Sequence, residues 1–349
     1  MMINKKYRWF LIRDHVLVWI CAFFLFVLIR TSGTTDNTGL DLPLRQSFAL
    51  SIFLGIFFGI ISGIATLYFS ERFYRRVSLK RFLTLRLLFT LSFLITNVFF
   101  VFMIFTRGIQ VLDVTLKEFL VQGPIWVFVI YLAIVDFGLA LFGQMNLMLG
   151  RGNILKIISG KFYEPMEEER IFMFLDLQGS ATIAERIGHL SFSRLIQDCF
   201  NDLAITENFN AQVYQYVGDE AVLTWPMEGL KNGNCVKAYF AFHHLIESKA
   251  AYYQQQYDEV PFFKAGLHMG QVTASEVGKY KREIAYHGDT INTASRIQGL
   301  CNTLNQHILI SEELHQSLSS ITDLEFTSMG AHHLKGKEKE VELWGVNEK

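Results

Sequence analysis

Long apolar runs fill the first 150 residues of this chain and constrain its fold more than any other feature. Three of them contain at most one charged residue each: 47–70, 87–106 and 124–150. Each reaches the length of about 20 residues that an α-helix needs to cross the hydrocarbon core of a bilayer. Acidic and basic residues alternate only from Glu164 onward, as on a water-exposed surface. The sequence therefore predicts a membrane domain followed by a soluble domain.

A fourth apolar run, 16–29, is shorter than the others. It can span a bilayer if the flanking Arg13, Asp14 and Arg30 lie among the lipid headgroups. Further apolar runs follow it and no small-residue cleavage site ends it, so we interpret it as an anchor rather than a signal peptide. The prediction is an α-helical membrane domain over 1–150 with four transmembrane helices, at about 14–31, 47–70, 87–106 and 124–147.

Lysine and arginine are unequally distributed among the segments that connect these runs. Most of them precede the first run or lie between the second and third: Lys5, Lys6, Arg8, Arg13, Arg72, Arg75, Arg76, Lys80, Arg81 and Arg86. The other two connections contain Arg30, Arg45, Arg107 and Lys117. Because cytoplasmic loops carry the excess of basic residues, the N-terminus is predicted to be cytoplasmic. Four spans return the C-terminal half to the same side of the cell (inner or plasma) membrane.

Gly55, Gly59 and Gly63 recur at every fourth position of the second run. Residues with this spacing share one face of a helix, and small residues there let another helix approach closely. The alternative is that glycine is simply common in membrane helices.

Asp136 is a carboxylate in the middle of a predicted span. Such a group is costly unless it is paired, protonated or faces a cavity. Two interpretations stay open, a part in a sensing site and an interhelical hydrogen bond. The connections between spans are too short for a folded extracellular sensor. A signal would therefore be read within the bilayer or through a partner.

Residues 151–167 connect the two halves. Their apolar positions have roughly helical spacing: Ile154, Leu155, Ile157, Ile158 and Phe162. This pattern predicts a short amphipathic helix that lies against its twin in a dimer, and a plain linker is the alternative.

The segment Ile171-Phe-Met-Phe-Leu-Asp176 is typical of a buried strand that ends in a carboxylate. Polar residues 178–182 follow and lead into a helical pattern, and a loop between strand and helix leaves backbone N–H groups free to bind phosphate. Residues 213–225 are typical of two strands joined by a Gly-Asp turn. This predicts Asp219 at a hairpin tip, facing Asp176 across neighbouring strands.

Asn292 and Arg296 lie one helical turn apart within the stretch 288–296. An amide suits a ribose, and a permanently charged guanidinium suits a charged transition state. Two carboxylates such as Asp176 and Asp219 suit a pair of metal ions. Each feature alone is more often structural, but together and in this order they indicate phosphoryl chemistry on a nucleotide.

The overall composition adds little to this. The net charge of −1 gives no indication of a nucleic-acid partner, and none is expected. The four cysteines are widely spaced and typical of reduced thiols rather than of a disulfide framework or a structural zinc site: Cys21, Cys199, Cys235 and Cys301.

Motifs in the C-terminal half resemble those of the class III nucleotidyl cyclases, the adenylate and guanylate cyclase family. They are Phe172-x-x-Leu-Asp176, Val217-Gly-Asp219, Lys264-Ala-Gly-Leu-His268-x-Gly270, Gly288-Asp-Thr-Ile-Asn-x-Ala-x-Arg296 and Leu334-Lys-Gly-Lys337. The resemblance covers about 170–346 and implies a catalytic domain over 168–349. The fold that it implies is an α+β domain akin to the ferredoxin-like plan, with helices on one face of the sheet.

The resemblance also implies roles for the four polar residues. In this family two aspartates hold two Mg²⁺ or Mn²⁺ ions, and Asp176 and Asp219 match both. One ion helps to deprotonate the ribose 3′-hydroxyl and the other neutralises the triphosphate as pyrophosphate leaves. Asn292 would position the ribose. Arg296 would stabilise the charge that grows on the α-phosphate.

Phosphate contacts are implied for two further segments. Lys335 or Lys337 is expected to contact the outer phosphates, and the sequence does not choose between them. Gly179 and Ser180 belong to the expected phosphate loop. Family members often carry Phe-Thr after this glycine, whereas this chain has Ser180-Ala181, which concerns the phosphate loop rather than the metal ions.

The positions that select the base match neither common pattern. Adenylate cyclases commonly place Lys four residues before the second aspartate and Asp or Thr seven before the asparagine, and guanylate cyclases tend to use Glu and Cys. Here those positions are Gln215 and Ala285. An amide can donate or accept, and Ala285 offers no polar group. ATP is the favoured substrate because adenylate cyclases predominate among membrane-tethered relatives, and GTP or a pyrimidine triphosphate stays open.

Family sites lie at a head-to-tail dimer interface, with the metal aspartates from one subunit and the Asn/Arg pair from the other. This chain contains both sets, so a homodimer would have two complete sites and a monomer none.

Three competing interpretations are weaker. Gly218-Asp-Glu220 is similar to the Gly-Gly-Asp-Glu signature of diguanylate cyclases, but Val217 replaces the first glycine and that family has no counterpart of 288–296. A catalytically silent scaffold would usually lose one of the four polar residues. Four spans without a visible repeat offer little to a transporter.

Overall fold

The computed structural model of the protein describes residues 5–33, 44–72, 79–108, 115–121, 123–150, 153–280 and 282–349. By its internal contacts the chain divides into two compact units, Met1–Met145 and Asn146–Lys349. The division falls close to the end of the predicted membrane domain.

The N-terminal unit is helical. Its helices are α1 (Lys5–Gly33), α2 (Leu44–Arg72), α3 (Leu79–Met103), α4 (Leu116–Val121) and α5 (Gly123–Leu149). Four segments of them are long and apolar enough to cross a bilayer: Arg8–Ile29, Arg45–Tyr68, Thr84–Met103 and Trp126–Gly143. The predicted number of candidate spans is confirmed.

Two of the predicted bounds need correction. The first apolar segment begins at Arg8 rather than near residue 14. The third covers Thr84–Met103 rather than 87–106, and the π-helical turn Ile104–Gly108 follows it. Arg86, which the sequence pattern assigned to a loop, therefore lies inside a candidate span.

A buried ion pair explains why an arginine is tolerated there. The side chain of Asp136 on α5 is fully buried. It accepts hydrogen bonds from Arg86 Nη2 at 2.9 Å and from Thr90 Oγ1 at 2.8 Å, both on α3. His15 Nδ1 on α1 and Ser62 Oγ on α2 lie 3.1 Å apart. Of the two interpretations of Asp136, the interhelical hydrogen bond is the one that the structure contains.

The glycine repeat of α2 lies against α1. A Cβ atom added to Gly55 would lie 2.6 Å from the Cα of Ile20, and one added to Gly59 would lie 2.4 Å from the Cα of Val16. Such distances are shorter than any real Cβ contact, so the two backbones approach closely only because these residues are glycines.

The connecting segment belongs to the C-terminal unit. It contains the six-residue helix α6 (Asn153–Ile158), and residues 151–152 lie outside the described residues. The helix within the predicted connection therefore ends at Ile158, before Phe162. The side chain of Phe162 is buried, and its carbonyl accepts the N–H of Glu276 at 2.9 Å. The first strand begins at Met166, within the predicted linker.

One mixed sheet organises the C-terminal unit. Its strands are β1 (Met166–Leu177), β2 (Gln212–Val217), β3 (Glu220–Pro226), β4 (Phe263–Val277), β5 (Glu283–His287), β6 (Ile308–Ser311), β7 (Leu324–His332) and β8 (Val341–Glu348). Their order is β2-β3-β1-β4-β6-β8-β7, and β5 pairs with the far end of β4. The β4–β6 pair is parallel and the others are antiparallel.

The helices of this unit are α7 (Ser180–Ile187), α8 (His189–Asp202), α9 (Asn234–Ser248), α10 (Ala250–Tyr257), α11 (Asp289–Gly299) and α12 (Glu312–Leu318). Short 3-10 segments cover Leu203–Phe209 and Met227–Gly233.

Alternation along β1 separates two cores. Ile171, Met173 and Leu175 pack with α8, α9 and α12 in the larger core, whereas Phe172 and Phe174 face the opposite side and pack with α11. The sheet therefore has most of its helices on one face, as expected, but α11 crosses the other.

Candidate active site

Asp176 lies at the end of the central strand β1, on the face that α11 covers. It is opposite Glu220 of β3 and Lys264 of β4 in the strand register. Asp219 lies in the two-residue turn between β2 and β3, where Gly218 has φ 63°, a conformation that favours glycine. The hairpin predicted from the Gly-Asp pair is therefore present, with Asp219 at its tip.

The hairpin brings the two aspartates together. The pKa of Asp176 is raised to about 6, first by burial and then by the charge of Asp219 and a hydrogen bond with it. The charge of Asp219 and the hydrogen bond with it both raise the pKa of Asp176, which indicates that the two carboxylates lie close together.

Glu220 is a third acidic group at this site, and sequence reasoning missed its role. As the first residue of β3 it lies directly opposite Asp176, so the two side chains share a face of the sheet. Burial, followed by the charges of Asp176 and Asp219, raises the pKa of Glu220 to about 7. The sequence signal that could have identified Glu220 is its position directly after the tight Gly-Asp turn. Such a turn places the first residue of β3 opposite the end of β1.

This acidic group has the chemistry of a divalent-cation site. Among the described residues, no lysine, arginine or histidine forms an ion pair with Asp176, Asp219 or Glu220. In the described part of the chain, no three histidine, cysteine or carboxylate side chains are arranged around one ion position, so Asp176, Asp219 and Glu220 do not form a complete three-ligand site. Two carboxylates, with substrate phosphates and water completing the shell, are a common arrangement for Mg²⁺.

Gly179 and Ser180 form the bend that follows β1. Gly179 has φ 71°, and α7 begins at Ser180. The carbonyl of Gly179 accepts the N–H of Ile183 at 3.0 Å, while no side chain caps the helix. The first N–H groups of α7 therefore have no intrahelical partner, and the helix begins four residues after Asp176 in the sequence.

Two glycines of β4 hold α11 against the sheet. A Cβ added to Gly266 would lie 2.1 Å from the backbone N of Gln298, and one added to Gly270 would lie 2.7 Å from Thr290 Oγ1. At this close approach Gln298 Nε2 donates to Asp176 Oδ2 at 3.4 Å. One end of α11 is thus fixed beside Asp176.

Asn292 and Arg296 lie on a different face of α11. At about 100° per residue, Arg296 is rotated roughly 200° from Gln298 and Asn292 roughly 240°. Because Gln298 faces Asp176, the other two point largely away from it. The chain therefore brings Asp176 and Asp219 together and separates them from Asn292 and Arg296.

The turn at residues 334–337 covers Arg296. A Cβ added to Gly336 (φ 76°) would lie 3.4 Å from Arg296 Nη2, so the turn lies directly over the guanidinium. Arg296 Nη1 is buried and has no hydrogen-bond partner. Lys337 forms an ion pair with Asp289 at the start of α11, and the side chain of Lys335 is exposed.

The two positions predicted to select the base flank an aromatic pair. Gln215 on β2 is exposed and opposite Val222, and Ala285 on β5 is opposite Ser275. Their neighbours Tyr214 and Tyr286 touch, with ring centroids 5.1 Å apart.

The chain belongs to the adenylate and guanylate cyclase family. The family described as the adenylate and guanylate cyclase catalytic domain matches residues 163–347, which is more than half of the chain.

Individual relatives match the same half of the chain. Adenylate cyclase 2 of Rhizobium meliloti (strain 1021) is 38% identical over 192 residues, 54% of this chain and 53% of the relative. Photoactivated adenylate cyclase subunit alpha of Euglena gracilis is 28% identical over 40% of this chain and 14% of its own length. Retinal guanylyl cyclase 2 of Mus musculus is 29% identical over 50% of this chain and 16% of its own length. The chain thus spans about half, or much less, of the relatives it matches.

A solved structure is similar to the C-terminal unit. The adenylyl cyclase CyaB from P. aeruginosa aligns over 53% of this chain and 97% of its own, with 17% sequence identity and a TM-score of 0.48.

Proposed function

We propose that the protein is a membrane-anchored class III cyclase that converts a nucleoside triphosphate, with ATP favoured, to the 3′,5′-cyclic nucleotide and pyrophosphate. The observation that carries this proposal is the acidic group of Asp176, Asp219 and Glu220, for which the described residues provide no cationic partner, together with the uncapped N-terminus of α7. Carboxylates that lack a cationic partner in the fold are suited to divalent ions that arrive with the substrate.

The proposed mechanism assigns one task to each group. Asp176 and Asp219 would hold two Mg²⁺ or Mn²⁺ ions, which supply activation of the 3′-hydroxyl and charge neutralisation of the triphosphate. The N–H groups at Ser180 would bind phosphate oxygens. Asn292 would hold the ribose, and Arg296, whose Nη1 lacks an acceptor, would bind the α-phosphate as its charge grows.

The two lysines receive different assignments. Lys337 is engaged by Asp289, whereas Lys335 is exposed, so we assign the outer phosphates to Lys335. Lys335→Ala should then raise KM for the triphosphate more than Lys337→Ala does.

The separation of the two residue pairs supports a homodimer. Because α11 turns Asn292 and Arg296 away from Asp176, a second copy would have to supply them. Mixing an Asp176→Ala chain with an Asn292→Ala chain in equal amounts should restore about a quarter of wild-type activity, since half of the dimers are mixed and each has one intact site. Mixed dimers that form but stay inactive would contradict the shared site.

The base is tested by product analysis. Full-length protein in lipid nanodiscs is incubated with ATP, GTP, CTP or UTP and Mg²⁺ or Mn²⁺, and products are identified by mass. ATP is favoured because a relative named adenylate cyclase 2 is 38% identical. Preferential turnover of GTP would instead assign a guanylate cyclase, and no product from any triphosphate would support a silent scaffold. Asp176→Ala must abolish turnover in each case.

The proposed orientation rests on the basic residues. With the N-terminus in the cytoplasm, an even number of spans places the cyclase unit there as well. A membrane-impermeant reagent that labels a cysteine introduced at exposed Tyr280 from outside intact cells would contradict this orientation.

A further inference from the structure

A cavity of about 130 Å³ lies between α2 and α3 in the N-terminal unit. Four phenyl rings form its walls, Phe57 and Phe58 from α2 and Phe89 and Phe93 from α3. Ser92 and Thr96 lie at its rim, and both are exposed on the surface of the helices. The cavity can therefore be reached from the hydrocarbon of the bilayer.

Asn97 gives this cavity a polar group. Its side chain lines the cavity and is only 1% exposed. Asn97 Nδ2 donates to the carbonyl of Phe93 at 2.6 Å, which accounts for one half of the amide. The other half, Oδ1, is buried and accepts no hydrogen bond. The hydrocarbon core of a bilayer contains no water that could donate a hydrogen bond to Oδ1, and a polar group without a hydrogen-bond partner is energetically unfavourable there.

A role in helix structure alone does not explain this asparagine. Thr96 and Thr106 on the same stretch also bond to the carbonyl four residues earlier, each with a hydroxyl. Asn97 makes that bond and retains an additional acceptor beside an aromatic enclosure, six residues from the end of the span Thr84–Met103. Because Oδ1 is buried in the free protein, a bound molecule would use this surplus acceptor by turning the amide toward the cavity.

The walls indicate the shape of that molecule. Phe58 and Phe93 meet edge to face with centroids 6.0 Å apart, so ring faces and edges both line the space. Aromatic ligands gain about 0.5–1.5 kcal/mol from each such ring contact beyond the burial of their surface. Apolar cavities of about 150 Å³ admit a single benzene ring.

We propose that this cavity binds a membrane-dissolved molecule whose head is one aromatic ring bearing a hydroxyl group. The ring fills the space between the four phenyl side chains, and the hydroxyl donates to Asn97 Oδ1. A ligand of this class enters laterally from the lipid, with any apolar tail on the side of Ser92 and Thr96. This proposal is independent of the reaction at the cyclase site.

The test compares two probes that differ only in the donor. Full-length protein in lipid nanodiscs is titrated calorimetrically with 4-propylphenol and with its methyl ether, 4-propylanisole, and the heat from empty nanodiscs is subtracted. A hydrogen bond to a buried acceptor contributes about 1 kcal/mol or more, so the phenol should bind at least about fivefold more tightly than the ether. Equal affinities for the two probes would overturn the proposal.

Variants locate the effect. Asn97→Leu should reduce the phenol-to-ether ratio to about one while both probes still bind. Thr106→Val is the matched control, because it also removes a bond to the carbonyl four residues earlier but does not line the cavity, and it should keep the wild-type ratio. A ratio that persists in Asn97→Leu would contradict the role of Oδ1. If Asn97→Leu does not fold, Phe89→Trp, which fills the cavity, must weaken both probes. Saturable binding of neither probe to the wild type would show that lipid or a second copy occupies the cleft, and would overturn the proposal.

Discussion

The buried carboxylate Asp136 of the helical unit and the half-buried carboxylate Asp176 of the cyclase unit have opposite surroundings. In the helical unit Asp136 is fully enclosed and satisfied by Arg86 and Thr90. In the cyclase unit Asp176 lies beside Asp219 and Glu220. Burial and the charge of Asp219 raise the pKa of Asp176, and no cationic side chain among the described residues neutralises its charge. A carboxylate that completes the fold is paired within the fold, whereas the carboxylate proposed to bind metal has no cationic partner among the residues that the structure describes. Substitution of Asp136 is therefore expected to lower stability, and substitution of Asp176 is expected to lower activity.

Isosteric substitution at the proposed metal-binding carboxylate Asp176 should give the largest effect. If Asp176 is a metal ligand, Asp176→Asn removes an interaction worth several kcal/mol to the transition state, so turnover should fall roughly a thousandfold. The melting temperature of the metal-free protein should stay equal or rise, because the change relieves repulsion among the three acidic groups. Turnover by nucleotide assay and melting of the same preparation check both statements. A marked loss of stability would mean that Asp176 is structural after all.

The same substitution at the membrane carboxylate should act in the reverse sense. Asp136→Asn leaves Arg86 buried without its counter-charge, and removal of one partner from a buried pair typically costs about 3–5 kcal/mol. Folding of the helical unit, followed by unfolding in mixed micelles, should therefore be weakened.

A double variant provides the control for that experiment. Arg86→Met combined with Asp136→Leu removes both charges and should recover most of the lost stability. If the double variant is as unstable as Asp136→Asn, the pair is required for more than mutual neutralisation.

Replacement of a closely packed glycine by alanine should lower the free energy of unfolding by a smaller amount, and by about the same amount in the two units. Gly59→Ala would force α1 from α2, and Gly266→Ala would force α11 from the sheet, because each new Cβ meets backbone atoms. Each should lower the free energy of unfolding of its own unit by about 1–3 kcal/mol. Gly138→Ala and Gly299→Ala meet nothing within 4 Å and serve as matched controls, which should change stability by less than about 0.5 kcal/mol.

The smallest effect should be a dependence of stability on pH that is confined to the cyclase unit. A carboxyl whose pKa is raised on folding contributes stability that is fully present below its unfolded value, about 4, and is lost as the pH rises through the folded value. For Asp176 and Glu220 these folded values are about 6 and 7. In EDTA the melting temperature of wild type should thus fall more steeply from pH 5 to pH 8 than that of Glu220→Gln. Mg²⁺ added at pH 8 should reverse the fall, and parallel curves for the two proteins would contradict the assigned repulsion.

The sequence predicts best where structure is determined locally. Asp176 could be placed because a strand ends there, and Asp219 because a Gly-Asp pair makes a tight turn. Arg86 could not, because a charge normally ends an apolar run and its partner Asp136 is fifty residues away. The position of α11 was also missed, since it depends on the absence of side chains at Gly266 and Gly270 of another element.

The burial of Phe162 has a mechanical consequence. Its ring packs in the same small core as Tyr286 and Ile284 of β5, and its carbonyl is tied to Glu276 of β4. The same core contains Val222 and Tyr214 of the hairpin that carries Asp219, so a displacement of Phe162 would reach β5 and this hairpin together. Phe162→Ala is therefore expected to change KM and kcat together rather than KM alone.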